Sequence, residues 1–489
     1  MSAALMGSFF AAPVYAENTV NSVARIPMGD VNTDGFVDVT DLTELALCLL
    51  GDTEFSDMQA DLADVDYDGE VTLADLAKMR QFLSKKINTL ERYKDINIKN
   101  LAAPLYSTAR STADYTSVNE FSAFAADFSD NVLLDTTDQK EGVNRVYSPL
   151  SVYMAVSMLA ECCDGKSCDE LLELLSVSDK DRLRKINHDI FDSLYFDDEN
   201  AYCLLANSLW VDNEYTCNKD ALDSLASNYF TSIFERDLQS QADCDEIGEW
   251  ISQNTSGKFK PEVLADPDAV LDLINTVTFK ESWNEGFDKT TTEGTFKGAD
   301  GDITCQYMTG SERSSVTETK DYTIWSKKFH DGFVMNFVLP SEEKCVDDIL
   351  SDSDMMKEIF NVKTRKSKEC EVRACIPKFS SASKFELVDT LKEAGITEVF
   401  KAADLSPLLD PLDNPVEGSY YVDKVTHEAV IDVNESGCEA AAYTLIAIKT
   451  EAAIDKPYEF RADRPFIYYI SDQSGTPLFI GTVSDPTQK

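Results

Sequence analysis

Apolar residues recur along this chain in two periods, and the two periods mark different regions. Between residues 29 and 87 they fall three and four apart: Leu42, Leu45, Ala46 and Leu49, then Leu76, Met79, Phe82 and Leu83. That spacing puts them on one helix face and predicts two amphipathic helices. Helical spacing resumes near Val118 with Phe121, Phe124, Ala125 and Phe128. Toward the C-terminus the period drops to two. Alternate residues from Cys438 are Ala440, Ala442, Thr444, Ile446 and Ile448, all small or apolar and uncharged. The interleaved set is Glu439, Ala441, Tyr443, Leu445, Ala447 and Lys449, which holds both charges and the tyrosine. Side chains alternate across a strand, so this run predicts a strand able to bury one face and wet the other. No proline between Gly437 and Lys456 would block pairing inside a sheet. On periodicity alone, an ordinary half-buried strand fits as well.

An acidic loop precedes each helix of the first region. The stretch Asp30-Val31-Asn32-Thr33-Asp34-Gly35-Phe36-Val37-Asp38-Val39-Thr40-Asp41 recurs 34 residues later as Asp64-Val65-Asp66-Tyr67-Asp68-Gly69-Glu70-Val71-Thr72-Leu73-Ala74-Asp75. Oxygen donors at loop positions one, three and five (Asp30, Asn32, Asp34; Asp64, Asp66, Asp68) suit a hard cation. Glycine at position six permits the sharp turn that brings those donors onto one ion. Phe36 and Glu70 would offer backbone carbonyls, Asp38 a contact through water and Thr72 a weaker one, with Asp41 and Asp75 at position twelve. Two Ca2+ ions are therefore expected. Nine carboxylates in two loops repel one another without metal, so binding and folding should be coupled. A duplicated Asp-rich loop also suits any calcium-stabilised repeat.

Composition narrows the classes. A chain of 489 residues with 43% hydrophobic content can form one large domain and a small one. With 44 basic against 88 acidic residues, a net charge of −44 argues against nucleic acid, anionic membranes and heparin-like polyanions as partners. Solubility and the calcium loops account for that charge. Leu5 to Ala12 is short and apolar, and Val14-Tyr15-Ala16 fits the small-x-small cleavage rule. Residues 1–16 thus read as a secretion signal without its usual basic start, with Glu17 the expected mature terminus. No later stretch approaches the roughly 18 apolar residues of a membrane span. The twelve cysteines show neither zinc spacing nor a disulfide framework; Cys162 and Cys163 are adjacent, and Cys370 and Cys375 have no histidine near. Free buried thiols are expected. With only His188, His330 and His427, and no G-x-S-x-G or H-E-x-x-H, a hydrolase site is a poor reading.

Seven segments stand out in order along the rest of the chain. Asn144-Arg145-Val146-Tyr147-Ser148-Pro149-Leu150-Ser151 fits N-x-x-x-S-P-x-S, and Asn207-Ser208-Leu209-Trp210-Val211 fits N-x-L-(F/W)-V. Trp250 with Asn254-Thr255-Ser256-Gly257-Lys258 comes next, then Asn275-Thr276-Val277-Thr278-Phe279-Lys280 with Trp283 and Phe287. Pro377-Lys378-Phe379, Val425-Thr426-His427 and Phe460–Ile470 complete the series. Together and in this order these segments resemble the motifs of the serpin family. The resemblance implies an α+β serpin fold: three β-sheets, about eight to nine helices and an exposed reactive loop. It implies a serine protease inhibitor that acts as a suicide substrate, not an enzyme. The loop is cut, and its freed arm inserts as a new central strand. Glu435, Gly437, Cys438, Glu439, Ala440, Ala441 and Ala442 would form the hinge; Ser148, Ser151, Asn275 and His427 would form the polar shutter that locks the sheet. The cut falls sixteen positions after Glu435, between Glu451 and Ala452. Cleavage around Ala452 to Ile454, or after Lys449, stays open. Elastase-, subtilisin- or glutamyl-specific-like proteases are the implied targets. A non-inhibitory serpin serving as a binding or structural module is the alternative.

The duplicated loops, with aspartate at position twelve and no helix read before either, resemble a dockerin, a small all-α calcium-binding module. That implies a cohesin partner on a cellulosome scaffoldin. Val39, Thr40, Leu73 and Ala74, at loop positions ten and eleven, would read the cohesin. They are mostly apolar and differ between copies, which disfavours two equivalent binding orientations. The expected organisation is a signal at 1–16, dockerin at 26–88, linker at 89–113 and serpin at 114–489, secreted, monomeric and bound at the cell surface.

Overall fold

The structure is a computed structural model describing residues 24–32, 37–53, 55–65, 71–83, 93–96, 100–104, 106, 110–134, 143–198, 201–288, 290–298, 301–409, 420–438 and 456–488. In the N-terminal unit, helix Val39–Leu50 starts on a capping box of Asp38 and Asp41 and stops at Gly51, whose φ of 81° suits a residue without a Cβ. Helix Leu73–Leu83 repeats it. Leu45 and Met79 from the two helices meet Met28, Val31, Leu62, Ala63 and Val65 in a small core. Two features differ from expectation. A short helix, Asp57–Ala63, capped by Ser56, directly precedes the second loop. Strands Ala24–Pro27 and Tyr93–Ile96 also pair antiparallel, so the unit is not purely helical.

The C-terminal unit carries nine helices among its described residues, from Tyr115–Leu133 to Val388–Glu393. Helix Pro149–Cys162 is mostly apolar and buried along nearly its whole length, packed against strands Leu271–Ser282 and Pro477–Val483 and against neighbouring helices. Its described strands form one sheet of eight and one of nine. The eighteen-residue strand Gly301–Glu318 pairs with Thr292–Gly298 near one end and with Tyr322–Lys328 near the other, fusing what would be two smaller sheets into the larger one. The hairpin of Phe466–Asp472 and Pro477–Val483 turns at Gly475 and is buried almost throughout. Part of the expected linker is built into this unit. Asn100–Ala102 pairs with edge strand Thr231–Arg236, and Tyr106 stacks on Tyr195 at 4.9 Å.

The eight-stranded sheet positions the site. Its order is Phe379–Glu386, Thr426–Val433, Gly437–Cys438, Leu271–Ser282, Tyr202–Asp212, Thr231–Arg236 and Asn100–Ala102, with Phe196–Asp197 pairing off the path to Tyr202–Asp212. Among the described residues no ladder joins Thr426–Val433 directly to Leu271–Ser282. The interval between these two strands, which the described residues enter only at Gly437 and Cys438, is called the slot below.

Candidate functional site

Gly437 pairs with Ser282 and Cys438 with Glu281 on one side, and Cys438 pairs with Val433 on the other. The fit at Gly437 admits no side chain: a Cβ there would lie 2.2 Å from the Glu281 carbonyl oxygen and 2.9 Å from Ser282 Cα. Cys438 is fully buried, the inward orientation its alternation predicts. The chain leading in is pinned by Trp283, whose indole Nε1 donates to the Asn434 carbonyl at 2.8 Å and whose backbone N–H donates to that of Ser436 at 3.0 Å. The Phe287 N–H donates to the Glu435 carbonyl at 3.1 Å, and the Glu435 carboxylate meets Lys378 at 2.9 Å. Glu435, Gly437 and Cys438 therefore sit at the slot's mouth. Glu439, Ala440, Ala441, Ala442, Glu451 and Ala452 lie outside the described residues.

Of the four residues expected to form the shutter, Ser148 bonds to both Ser151 and His427. The Ser148 N–H donates to His427 Nε2 at 3.0 Å; the Ser148 hydroxyl donates to the Leu478 carbonyl at 2.6 Å and accepts from the Ser151 N–H at 3.1 Å. Asn275 stands on the other flank of the slot and donates to Asn207 Oδ1 at 2.6 Å instead. Asn275 Oδ1 is buried with no hydrogen-bond partner among the described residues. Burial pushes the His427 imidazole down to about 4, in keeping with its role as a neutral acceptor. An unfolded imidazole titrates near 6.5, so unfolding takes up a proton that the native state refuses. Stability is complete above pH 6.5 and is lost as the pH falls toward 4. The expected loss is about 3 kcal/mol. Denaturant melts at pH 7 and pH 4 should show it, and His427→Gln, which keeps an acceptor, should flatten it.

In the N-terminal unit, Asp30, Asp41 and Asp75 are fully buried. Asp41 Oδ1 accepts from the Asn32 N–H at 3.0 Å and its Oδ2 from the Asp38 N–H at 2.8 Å; Asp75 Oδ2 accepts from the Thr72 N–H at 2.8 Å. The Asn32 bond holds the Asp41 carboxylate across its loop, while the Asp38 and Thr72 bonds are local, each reaching three residues back. Burying such groups is costly unless a cation shares them, and an all-oxygen donor set fits Ca2+. Asp38 and Asp64 flank the same loops, while Asp34, Phe36, Asp66, Asp68 and Glu70 lie outside the described residues. Val39 and Leu73 are 68% and 72% exposed, and Thr40 is exposed beside Val39. The side chain of Ala74 lies outside the described set.

Residues 123–486 match the family described as Serpin (serine protease inhibitor). The chain belongs to the serpin family. Residues 28–84 match the dockerin type I domain, a calcium-binding module. Serpin-ZX of Arabidopsis thaliana is 28% identical over 372 residues, covering 72% of this chain and 94% of its own. An uncharacterized serpin-like protein of Methanosarcina acetivorans is 28% identical over 407 residues, covering 79% and 92%. Native Tengpin, a thermophilic serpin, superposes with a TM-score of 0.68 at 25% identity over 80% of this chain and 100% of its own. Arabidopsis AtSerpin1 in its native stressed conformation gives 0.65 at 25% identity over 77% and 100%. This serpin thus has the α+β fold expected of it.

Three residues at the mouth of the serpin's slot were not legible as a group in its sequence. Trp283 and Lys378 stand in family motifs that give them no role, yet they hold the chain that enters the slot. Glu281 gave no signal, because a charged residue in an alternating strand reads as a wet one. It is 2% exposed. No described helix is long and apolar enough to cross a membrane.

Proposed function

We propose that this serpin traps serine proteases by inserting its own cut loop into the slot beside Gly437, while its dockerin holds it on a cohesin-bearing scaffold outside the cell. The observation that carries the reading is the seating of Gly437 and Cys438 between two strands that share no ladder of their own. A protease serine attacks the Glu451 carbonyl, forming an ester, and the Ala452 amine leaves. The register then sets the path of the freed arm. Continued antiparallel from Cys438 opposite Glu281, residues 439–448 come to lie opposite 280–271. The inserted run ends just short of the ester, so the tethered protease is drawn along the molecule. Ala440, Ala442, Thr444, Ile446 and Ile448 join Cys438 on the buried face. Pairing and burial supply the free energy that distorts the captured enzyme.

The test is to mix the protein with subtilisin, elastase, trypsin and a glutamyl-specific protease, then denature. A covalent complex that survives SDS is expected with at least one, and sequencing of the released C-terminal fragment should begin at Ala452. Cleavage of the loop without any complex would establish the non-inhibitory module instead.

In the dockerin, Asp30, Asp41, Asp64 and Asp75 would hold two Ca2+ ions together with their loop partners, and the metal would neutralise the buried carboxylates. Chelation with EDTA is expected to unfold this unit alone. At a free calcium level of about a thousand times Kd, the metal contributes about 4 kcal/mol. Calorimetry should show a calcium-dependent transition vanish while the serpin transition keeps its temperature. Asp41→Asn should weaken that dependence.

A further inference from the structure

Glu281 lies directly opposite Cys438 in the ladder at the slot's mouth. Opposed residues of an antiparallel pair show their side chains on the same face, only about 5 Å apart. The seated hinge therefore helps cover this carboxylate, which is 2% exposed. Its Oε1 accepts from the Ser282 N–H at 2.7 Å and its Oε2 from the Asp331 N–H at 3.2 Å. Asp331 belongs to the turn between Tyr322–Lys328 and Phe333–Pro340, whose His330 N–H donates to the Ser282 carbonyl at 3.0 Å. The ionisable residues on the elements packed against Glu281 are Asp331 and its neighbour His330, whose imidazole is mostly exposed, on that turn and Cys438 on the hinge. Beyond them Arg110 donates from Nη2 to the Asp331 carbonyl at 2.9 Å, its guanidinium 4.6 Å from the centre of the Phe196 ring. A carboxyl shut between a strand end, a turn that bears another acid and the hinge itself does no work in the trapping steps above.

We propose that Glu281 makes hinge seating pH-dependent: the hinge enters the slot's mouth when Glu281 is protonated and is released when it ionises. This rests on the strand-insertion reading of the slot. Burial first, and the Asp331 carboxylate next, push the Glu281 carboxyl up to about 7. With the hinge withdrawn, water reaches the group and it returns toward its ordinary value near 4.5. Seating therefore takes up a proton between those values, and a lower pH favours it. From pH 8 to pH 6 the seated population should rise about tenfold relative to the withdrawn one.

Trp283 reports the event, since it holds the chain on either side of Glu435. Tryptophan fluorescence of the intact full-length protein, titrated from pH 5.5 to 8.5, should show a transition near pH 7. It should be absent in Glu281→Gln, shifted to lower pH in Asp331→Asn, lost in Trp283→Phe and retained in His330→Gln. Protease trapping should be about tenfold faster at pH 6 than at pH 8 for the native protein relative to Glu281→Gln, with the same enzyme in both so that its own pH dependence cancels. A transition that survives Glu281→Gln, or one abolished by His330→Gln, overturns the assignment. If no protease is trapped at any pH, the inhibitory reading falls, while the fluorescence titration still decides for or against Glu281.

Discussion

Gly437→Ala is expected to turn the trap into a substrate. The added Cβ would stand 2.2 Å from the Glu281 carbonyl oxygen and 2.9 Å from Ser282 Cα, both backbone atoms that no side-chain rotation can move aside. The backbone angle at Gly437 is not among the left-handed ones, so space, not conformation, forbids the alanine. Forcing an extra carbon into a packed position costs about 1–3 kcal/mol. In the proposed mechanism, trapping is a race between insertion and hydrolysis of the ester, and each 1.4 kcal/mol on the insertion barrier shifts that race about tenfold. The variant should consume several-fold to over a hundredfold more inhibitor per enzyme trapped, with cut product replacing the SDS-stable band. The serpin transition of the uncut protein should move little, because the seat is a two-residue contact. Ala440→Arg, which puts a charge on the buried face, should behave alike. An alanine variant that traps as efficiently as the native protein would show that seating is not the first step of insertion.

The two periods in the sequence carried much of this. Alternation from Cys438 placed that thiol inward, and it is fully buried. Spacing in the first region marked Leu45 and Met79 as core, and both are buried there. The acidic repeat singled out Asp41 and Asp75, and both are fully buried, Asp41 accepting from the Asn32 N–H across its loop and Asp75 from the nearby Thr72 N–H. The misses share a cause. Asp57–Ala63 has seven residues, too few for a helical period to declare itself. Ala24–Pro27 and Tyr93–Ile96 pair across nearly the whole N-terminal unit, so neither short run shows its partner.

The site divides along the same line. Ser148 caps a helix by accepting from the N–H of Ser151 three residues on, which a local motif can encode. Asn275 stands on a different strand from His427, and its side-chain amide donates to Asn207, a pairing no local motif shows. Glu281 is hidden for a similar reason. Its burial depends on a turn fifty residues away and on a hinge more than 150 away.

Cutting the loop should make this serpin markedly more heat-resistant. The uncut protein holds two strands apart at a slot filled only at its mouth by described residues. Along the Leu271–Ser282 flank, Asn275 Oδ1 and Thr276 Oγ1 are buried without a partner among the described residues. Each such group costs about 1–3 kcal/mol until it is satisfied. The inserted run would bring Tyr443 and Thr444 opposite them, in the register set by Cys438 and Glu281. Backbone pairing and burial of Ile446 and Ile448 add to that gain. At about 2 °C per kcal/mol for a large domain, a rise in Tm of about 10 °C or more is expected after limited proteolysis at the loop. The intact form is then the metastable one, kept from inserting by a barrier that the uncut loop imposes. Calorimetry before and after the cut measures the difference, and Gly437→Ala, cut in the same way, should recover less of it. A cut protein that melts where the intact one does would mean that no strand enters the slot, and trapping by insertion would be excluded.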